Sequence, residues 1–251
     1  HVPLFASESF QSSTERGLFG DVLSEIDWQV GQIMDALKAQ NIDENTCVVF
    51  TSDNGPWLSY GDHAGSAGPL REGKGTNFEG GFRVACLMRW PGQIPAGSET
   101  GEIAASMDIL PTFCRLAGSR LPERVIDGKD ISSLMFSPAT ATTPHDLLFH
   151  YDGSNRLAAV RSGRWKLMFP QNYNSPIPGK GGLPGKNQKK SIPLSLFDLE
   201  ADIGETTNLA SEFPEIVSRL KLAAQDMRRE LGDGKTDRGI ARRPIGNLQQ
   251  D

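Results

Sequence analysis

The stretch Cys47-Val-Val-Phe-Thr-Ser-Asp-Asn-Gly55 decides the predicted fold, because an apolar run ends in polar turn residues. A run of β-branched and aromatic residues closed by Asp-Asn-Gly predicts a buried strand over residues 47–51 that stops at Asp53-Asn54. Open α/β sheets bind their ligands at strand ends of this kind. A carboxylate beside an amide suits a hard, oxygen-binding cation. A tight Asx-type turn without any ligand is the simpler alternative.

A glycine-rich loop follows this strand and carries a lysine between two glycines. The segments are Arg71-Glu-Gly-Lys-Gly-Thr76 and Glu79-Gly-Gly81. Glycines allow the backbone to approach an anion, and the Lys74 ammonium group adds a point charge, so the loop suits a tetrahedral oxyanion. An ordinary surface loop of turn residues is again the alternative.

Composition and charge limit the class of protein. The chain has 251 residues, of which 37% are hydrophobic and 23% are charged, and its net charge is −5. Such a length corresponds to one large domain or two ordinary ones. The negative charge gives no electrostatic case for nucleic acid as a partner. No apolar run is long enough to predict a membrane span.

Hydrophobic periodicity predicts two domains that meet near residue 143. The first, over residues 1–143, is predicted to be layered α/β, with an amphipathic helix packing one face on a sheet. The second, over residues 144–251, is predicted to be a small α+β domain of short strands and one long helix. The predicted helices cover residues 18–40, 106–117 and 213–231, and the predicted strands cover residues 47–51, 82–90, 147–151, 157–161, 165–169 and 194–199.

Residues 171–190 interrupt the second domain with four Gly, three Pro and four Lys. Their composition favours a flexible, solvated insertion. The alternative is a basic flap, carrying Lys186, Lys189 and Lys190, that contacts an anionic substrate.

The three cysteines predict neither a disulfide framework nor a zinc site. Cys47, Cys86 and Cys114 lie far apart in apolar segments, their number is odd, and no C-x-x-C spacing occurs. Buried free thiols are the expectation.

Six motifs follow one another along the chain: Phe50-Thr-Ser-Asp-Asn-Gly-Pro56, Gly68-Pro-Leu-Arg-Glu-Gly-Lys-Gly-Thr76, Phe78-Glu-Gly-Gly-Phe-Arg83, Trp90-Pro-Gly92, Asp108-Ile-Leu-Pro-Thr112 and Val160-Arg-Ser-Gly-Arg-Trp-Lys166. Taken in this order, they resemble the second half of a type I sulfatase, most closely the arylsulfatase and N-acetylgalactosamine-6-sulfatase branch. The resemblance implies the C-terminal part of an alkaline-phosphatase-like, layered α/β/α domain, followed by a small α+β domain with a short antiparallel sheet and one long helix.

The resemblance also implies roles for individual residues. Asp53 and Asn54 match the carboxylate and the amide that bind a divalent cation, usually calcium, through hard oxygen atoms. Lys74 matches the lysine that contacts the sulfate. His1 matches the histidine beside the leaving oxygen, a general-acid position. In the family, a formylglycine hydrate attacks sulfur while the metal and nearby cations neutralise the sulfate oxygens.

The remaining histidines and two arginines have alternative roles. His63, in the glycine-rich loop, and His150 are predicted as substrate-binding residues, with an exposed or structural position as the alternative for each. His145 is expected to be an exposed connector residue. Arg71 and Arg83 either contact an anion or form ion pairs within the loop.

The chain departs from the family pattern at the nucleophile. None of the cysteines lies in the Cys/Ser-x-Pro/Ala-x-Arg setting that is modified to formylglycine. The chain is therefore predicted to be a C-terminal portion with an incomplete calcium site, inactive alone. Strand 47–51 and helix 18–40 would then expose apolar surface, to be covered by the missing N-terminal half or by self-association.

The resemblance implies a sulfate ester as substrate, with a sulfated glycan favoured by family habit, and a periplasmic, secreted or lysosomal location. Two alternatives stay open at the sequence level. One is a phosphonate or phosphodiester hydrolase of the same superfamily, which shares the metal and oxyanion chemistry. The other is a non-catalytic module with a sulfatase-like fold.

Overall fold

The computed structural model describes residues 2–234 and residue 239, and these residues form two compact units. Both units draw on sequence from either side of residue 143, and a domain division at that residue stays a prediction. The first unit comprises the chain up to Thr100, Met135–Thr140 and Tyr173–Lys190; the second comprises Gly101–Leu134, Ala141–Asn172 and the described residues from Ser191 onward.

The helices and strands follow the predicted order closely. The α-helices are α1 (Gly17–Ala39), α2 (Glu79–Phe82), α3 (Ile109–Leu116), α4 (Ser132–Phe136) and α5 (Pro214–Leu231). The strands are β1 (Val48–Thr51), β2 (Cys86–Arg89), β3 (Leu148–Tyr151), β4 (Leu157–Ser162), β5 (Trp165–Met168), β6 (Gln171–Pro176), β7 (Asn187–Ile192) and β8 (Ser195–Asp198).

In the first unit, β1 and β2 form an antiparallel pair that sets the position of the glycine-rich loop between them. Thr51 pairs with Cys86 at one end of the ladder, and Val48 pairs with Arg89 at the other. The strand predicted over residues 82–90 begins later than expected. Phe82 instead ends α2, because the Arg83 N–H closes a helical turn on the Glu79 carbonyl at 2.7 Å.

Helix α1 does not pack one face on a sheet, and that prediction was wrong. Its main contacts are with short 3-10 helices, and Gly20 and Asp21 are its buried residues. Large apolar side chains of α1 and of the β1–β2 pair are exposed instead, which is the apolar surface expected of these elements. They are Leu23 (46% exposed), Trp28 (53%), Ile33 (55%), Phe50 (45%) and Leu87 (61%).

The second unit contains a short antiparallel sheet and a long helix, as predicted. Its strand order is β3-β4-β5-β8, and α5 packs against β4. The α5 helix starts with Pro214, whose missing N–H costs nothing at a first turn, and it stops at Gly232. The buried apolar cluster between sheet and helix is Leu157, Val160, Leu167, Leu196, Val217, Leu220 and Ala224.

His145 is buried in the second unit, so the prediction of an exposed connector residue was wrong. Its Nε2 atom lies 2.8 and 2.9 Å from the two carboxylate oxygens of Asp108. Its backbone N–H donates to the Thr143 hydroxyl at 3.1 Å, and that hydroxyl donates to the Ile103 carbonyl at 2.6 Å. These bonds draw the connector inward, because the buried Asp108 carboxylate requires hydrogen-bond donors.

Residues 171–190 are not an irregular insertion. They include β6 and most of β7, which form a two-stranded sheet. All four Gly and two of the three Pro belong to the turn between the strands, from residue 177 to residue 186, and this composition concealed the strands on either side.

The cysteines are free, but the expectation that all are buried was wrong. Cys86 is exposed in β2, and Cys47 and Cys114 are half-buried. Among the described residues, no helix is both long and apolar enough to traverse a membrane.

Candidate functional site

Asp53 and Asn54 lie directly after β1, where the chain turns tightly against α2. Gly55 makes this turn possible, since a Cβ atom there would lie 1.7 Å from the Gly80 carbonyl oxygen. The Gly55 N–H donates to the Gly81 carbonyl at 3.1 Å. The Asp-Asn pair is therefore held on the end of a strand by backbone contacts with the Glu79-Gly-Gly81 motif.

Lys74 is attached to the same turn through its backbone and its side chain. Its N–H donates to the Pro56 carbonyl at 2.9 Å. Its Nζ atom lies 4.9 Å from the centre of the Trp57 ring, within the range of a cation–π contact. The two motifs singled out in the sequence, Asp53-Asn54 and Lys74, thus belong to one loop cluster.

The Asp53 and Asn54 side chains interact with each other. The Asn54 amide Nδ2 donates to the Asp53 Oδ1 atom at 2.8 Å, and Asp53 is exposed. The carboxylate and the amide oxygen are donors that calcium accepts, but calcium takes about six to eight oxygen ligands. Within the described part of the chain, no group of three or more His, Cys, Asp or Glu side chains is placed to hold a metal ion. The two donors fit calcium in kind, and in number they would supply only part of a site.

The loop that carries Lys74 is fixed by side chains from the β6–β7 segment. The Glu72 carboxylate accepts hydrogen bonds from the Ser175 hydroxyl at 2.9 and 3.0 Å, and the Lys190 Nζ atom lies 3.6 Å away. Glu72 has a left-handed backbone with φ of 58°, which a non-glycine residue adopts at a cost that surrounding contacts must offset. The neighbours of Lys74 are therefore held in place from two sides.

Arg71 makes structural contacts within the first unit. Its Nη2 atom donates to the Tyr173 hydroxyl at 3.3 Å, and its guanidinium group lies 4.1 Å from the centre of the fully buried Phe78 ring. The Phe78 and Tyr173 rings meet edge to face at 5.1 Å. Arg83, the other arginine considered for anion contact, is exposed.

The predicted histidines fall in different places. His63 is half-buried in the first unit, where its Nδ1 atom accepts the Leu4 N–H at 3.2 Å. His150 lies in β3 of the second unit and is 2% exposed. His1 lies outside the described residues. The roles predicted for these histidines stay predictions.

The sequence did not reveal three partners of this cluster. Trp57 stands in an unpatterned loop, and nothing in its spacing indicated that Lys74 would lie over its ring. Ser175 and Tyr173 lie about a hundred residues from the loop that they hold. The sequence of β6, Gln-Asn-Tyr-Asn-Ser-Pro, shows no alternation of polar and apolar residues, so no local signal indicated this strand or its contacts.

Comparisons with family models and with known relatives show the family to which the chain belongs. A model described as Sulfatase matches residues 1–119, and one described as the C-terminal region of aryl-sulfatase matches residues 143–244. A third, the C-terminal model of N-sulphoglucosamine sulphohydrolase, matches residues 73–175. The chain spans about half the length of the curated relatives it matches.

Two curated relatives and one solved structure agree with these models. Arylsulfatase A from Bos taurus is 38% identical over 234 residues, covering 90% of this chain and 46% of the relative. N-acetylgalactosamine-6-sulfatase from Canis lupus familiaris is 35% identical over 265 residues, covering 98% of this chain and 50% of the relative. The crystal structure of Ps i-CgsB in complex with k-i-k-neocarrahexaose matches with a TM-score of 0.72 and 28% identity, covering 90% of this chain and 47% of that one. The chain belongs to the sulfatase family and has its alkaline-phosphatase-like fold.

Proposed function

We propose that this chain supplies one wall of the active site of a sulfuric ester hydrolase. Lys74 binds a sulfate oxygen, and Asp53 with Asn54 supplies oxygen ligands to a divalent cation. The observation that carries the proposal is the backbone link between the two motifs, from Gly55 to Gly81 and from Lys74 to Pro56. A cation and an ammonium group held in one loop cluster would neutralise the oxygens of a single sulfate.

Calcium is the metal that the donor set favours, since both ligands are hard oxygen atoms. When bound, it would stabilise negative charge on the sulfate oxygens. The Asn54 amide would then have to turn its oxygen toward the ion, giving up its 2.8 Å hydrogen bond to Asp53. Formylglycine would be supplied by sequence other than the segments around Cys47, Cys86 and Cys114.

The Lys74 ammonium group has a partner within the protein that it would leave when sulfate binds. Its ammonium group lies over the Trp57 ring, which offers a weaker interaction than a sulfate dianion or monoester. The ring therefore orients the ammonium group without neutralising its charge. A sulfate oxygen would compete for the same group and strengthen the contact through a charge-assisted hydrogen bond.

The histidine assignments are part of the proposal. Because the Nδ1 atom of His63 accepts the Leu4 N–H, a neutral ring carries its proton on Nε2, where it could donate to a substrate oxygen. His1 is proposed as the general acid beside the leaving oxygen, and His150 as a further substrate contact.

A sulfated glycan is the proposed substrate class. One relative is named for N-acetylgalactosamine 6-sulfate, and one structural match was solved with an oligosaccharide. We propose that the exposed apolar side chains of α1 and the β1–β2 pair are covered by an N-terminal half or by a second copy. The proposed location is periplasmic, secreted or lysosomal.

Titration with inorganic sulfate and 4-nitrophenyl sulfate, followed by NMR of the indole N–H groups, tests the assignment of Lys74. The Trp57 signal, identified by its absence in Trp57→Phe, should shift on sulfate addition, because the ammonium group leaves its ring. Lys74→Met should weaken binding about tenfold, as expected for loss of one charge-assisted contact. Lys38→Met, which removes an exposed lysine from α1, is the matched control. An unchanged Kd in Lys74→Met would contradict the proposal.

A further inference from the structure

The segment Tyr173–Lys190, here called the arm, is an ordered and strongly basic part of the first unit. It contains Lys180, Lys186, Lys189 and Lys190 and no acidic residue, in a chain of net charge −5. All four lysines are exposed. Lys190 lies 3.6 Å from Glu72. The other three have no ion pair with an acidic side chain of the described residues, so their charges face solvent.

The arm is docked on the segment that follows Trp57. The Ser59 carbonyl accepts two N–H groups of the arm, from Gly179 at 2.8 Å and from Gly185 at 2.7 Å. The Asp62 carboxylate accepts the Gly181 N–H at 3.1 Å. These bonds join the turn of the arm to residues 58–63, and the Ser175–Glu72 bond joins its base to the Lys74 loop. The arm therefore has a fixed position beside the candidate sulfate site.

A groove of about 670 Å³ lies between the arm and residues 58–65. Leu58, Pro176 and Pro178 give it apolar surfaces, and its charged lining residues are Lys180 and Asp62, whose carboxylate accepts the Gly181 N–H. Lys186 lies next to it in the turn, with its carbonyl oxygen accepting the Ile177 N–H at 2.8 Å. Apolar surfaces suit the C–H face of a sugar ring, while exposed ammonium groups suit sulfate or carboxylate substituents.

The groove begins where the sulfate site ends along the chain. Trp57, which contacts the Lys74 ammonium group, is followed directly by Leu58 of the groove wall. His63 lies against the arm within the first unit, since a Cβ atom on Gly182 would come 3.0 Å from its ring. A ligand that placed one sulfate at Lys74 could continue into the groove without leaving the first unit.

We propose that this groove is a subsite for an anionic oligosaccharide. It would bind the sugar next to the one that carries the reacting sulfate, and Lys180 and Lys186 would bind that sugar's anionic substituent. This inference rests on the proposed function, because the reacting sulfate is taken to lie at Lys74. The arm would then favour sulfated chains over single sulfated sugars.

Binding measurements on the 251-residue chain at low ionic strength test the subsite without requiring turnover. The probes are N-acetylgalactosamine 6-sulfate and a hexasaccharide that contains this unit and is sulfated on every repeat. The variant Lys180→Gln/Lys186→Gln should raise the Kd of the hexasaccharide about five- to tenfold and leave that of the monosaccharide unchanged. The difference should shrink as salt is added.

The control variant Lys38→Gln/Lys221→Gln removes the same charge from exposed positions on α1 and α5, and it should bind both probes as the unaltered chain does. An unchanged hexasaccharide Kd in the arm variant would overturn the subsite, as would equal weakening in the control. Absence of any preference for the hexasaccharide in the unaltered chain would also overturn it. Lys74→Met separates the two proposals: if monosaccharide binding survives that change, the proposed sulfate site fails, while the arm comparison is still measured.

Discussion

The second unit buries a continuous apolar cluster between a four-stranded sheet and α5, whereas the first unit exposes large apolar side chains on α1, β1 and β2. In the first unit, order comes from backbone hydrogen bonds among glycine-rich loops and from the arm that docks on them. The contrast indicates that the second unit carries its own folding energy. The first unit positions chemical groups, and its exposed apolar face is the surface for which a partner is proposed.

Truncating the core of the second unit should have the largest effect. Leu220 is fully buried on α5, and Leu220→Ala should lower the free energy of unfolding by about 3 to 5 kcal/mol through lost transfer energy and a cavity. Leu222 on the same helix is 61% exposed, and Leu222→Ala should change it by less than about 0.5 kcal/mol. Urea unfolding followed by circular dichroism measures both. Equal effects would remove the basis of the comparison between the units.

The second-largest loss of stability is expected at the buried polar centre of the second unit. Asp108 accepts the Ala105 N–H at 2.7 Å, the Lys129 N–H at 2.8 Å and contacts His145 Nε2. Asp108→Ala should therefore cost about 2 to 4 kcal/mol, because buried donors lose their acceptor. The exposed Glu123 provides a control, since Glu123→Ala should leave the urea midpoint unchanged. A small loss in Asp108→Ala would mean that water replaces the carboxylate.

In the first unit, the corresponding polar centre is Asp21, and its contribution should depend on pH. Burial raises the pKa of this carboxyl, but hydrogen bonds from the Ser12 and Thr14 N–H groups and from the Thr14 and Ser13 hydroxyls outweigh it and hold the pKa below 3.8. A carboxyl whose pKa is lowered on folding stabilises the fold at pH values above its ordinary pKa. That stabilisation is lost as the pH falls through the pKa of the folded state.

Asp21→Asn should accordingly be less stable than the unaltered chain at neutral pH, by a smaller margin than Asp108→Ala. The difference should begin to shrink as the pH falls to about 3.8, the ordinary value for this carboxyl, and it should vanish only below the lowered pKa of the folded state. Thermal midpoints measured from pH 7 to pH 2.5 test this. A difference that grows toward low pH would have the wrong sign for a lowered pKa.

The smallest effect on stability is expected on the exposed face of α1. Leu23 and Ile33 are 46% and 55% exposed, so Leu23→Ser/Ile33→Ser should change the free energy of unfolding by less than about 1 kcal/mol. It should nevertheless reduce self-association of the chain, measured by sedimentation velocity, because it removes apolar contact area. Leu222→Ser in the second unit is the control. If both variants associate as the unaltered chain does, the α1 face is not an interaction surface.

The sequence predicted those features that depend on local spacing. The 3.6-residue repeats of α1 and α5 and the apolar run of β1 gave their positions to within one residue or so. Motif order placed Asp53, Asn54 and Lys74 in one site, and the structure holds them in one loop cluster. Their chemical roles stay predictions until binding is measured.

Features that depend on distant partners could not be predicted. The local sequence predicts an exposed connector at His145, because the partner of this residue, Asp108, lies 37 positions away. The local sequence predicts an irregular arm, because its turn is rich in Gly and Pro. The acceptors that order it, the Ser59 carbonyl and the Asp62 carboxylate, lie more than a hundred residues upstream. Periodicity likewise identified the apolar face of α1 but not whether the described chain covers it.

The most direct test of the account is hydrolysis of an aryl sulfate by the pure 251-residue chain in the presence of calcium. The chain is taken to carry metal and sulfate ligands without the formylglycine nucleophile. Release of 4-nitrophenol from 4-nitrophenyl sulfate should therefore equal that in buffer alone, while the proposed binding of sulfate at Lys74 is retained. Turnover above the buffer rate that disappears in Lys74→Met would contradict the account, because the chain would then contain a complete catalytic site.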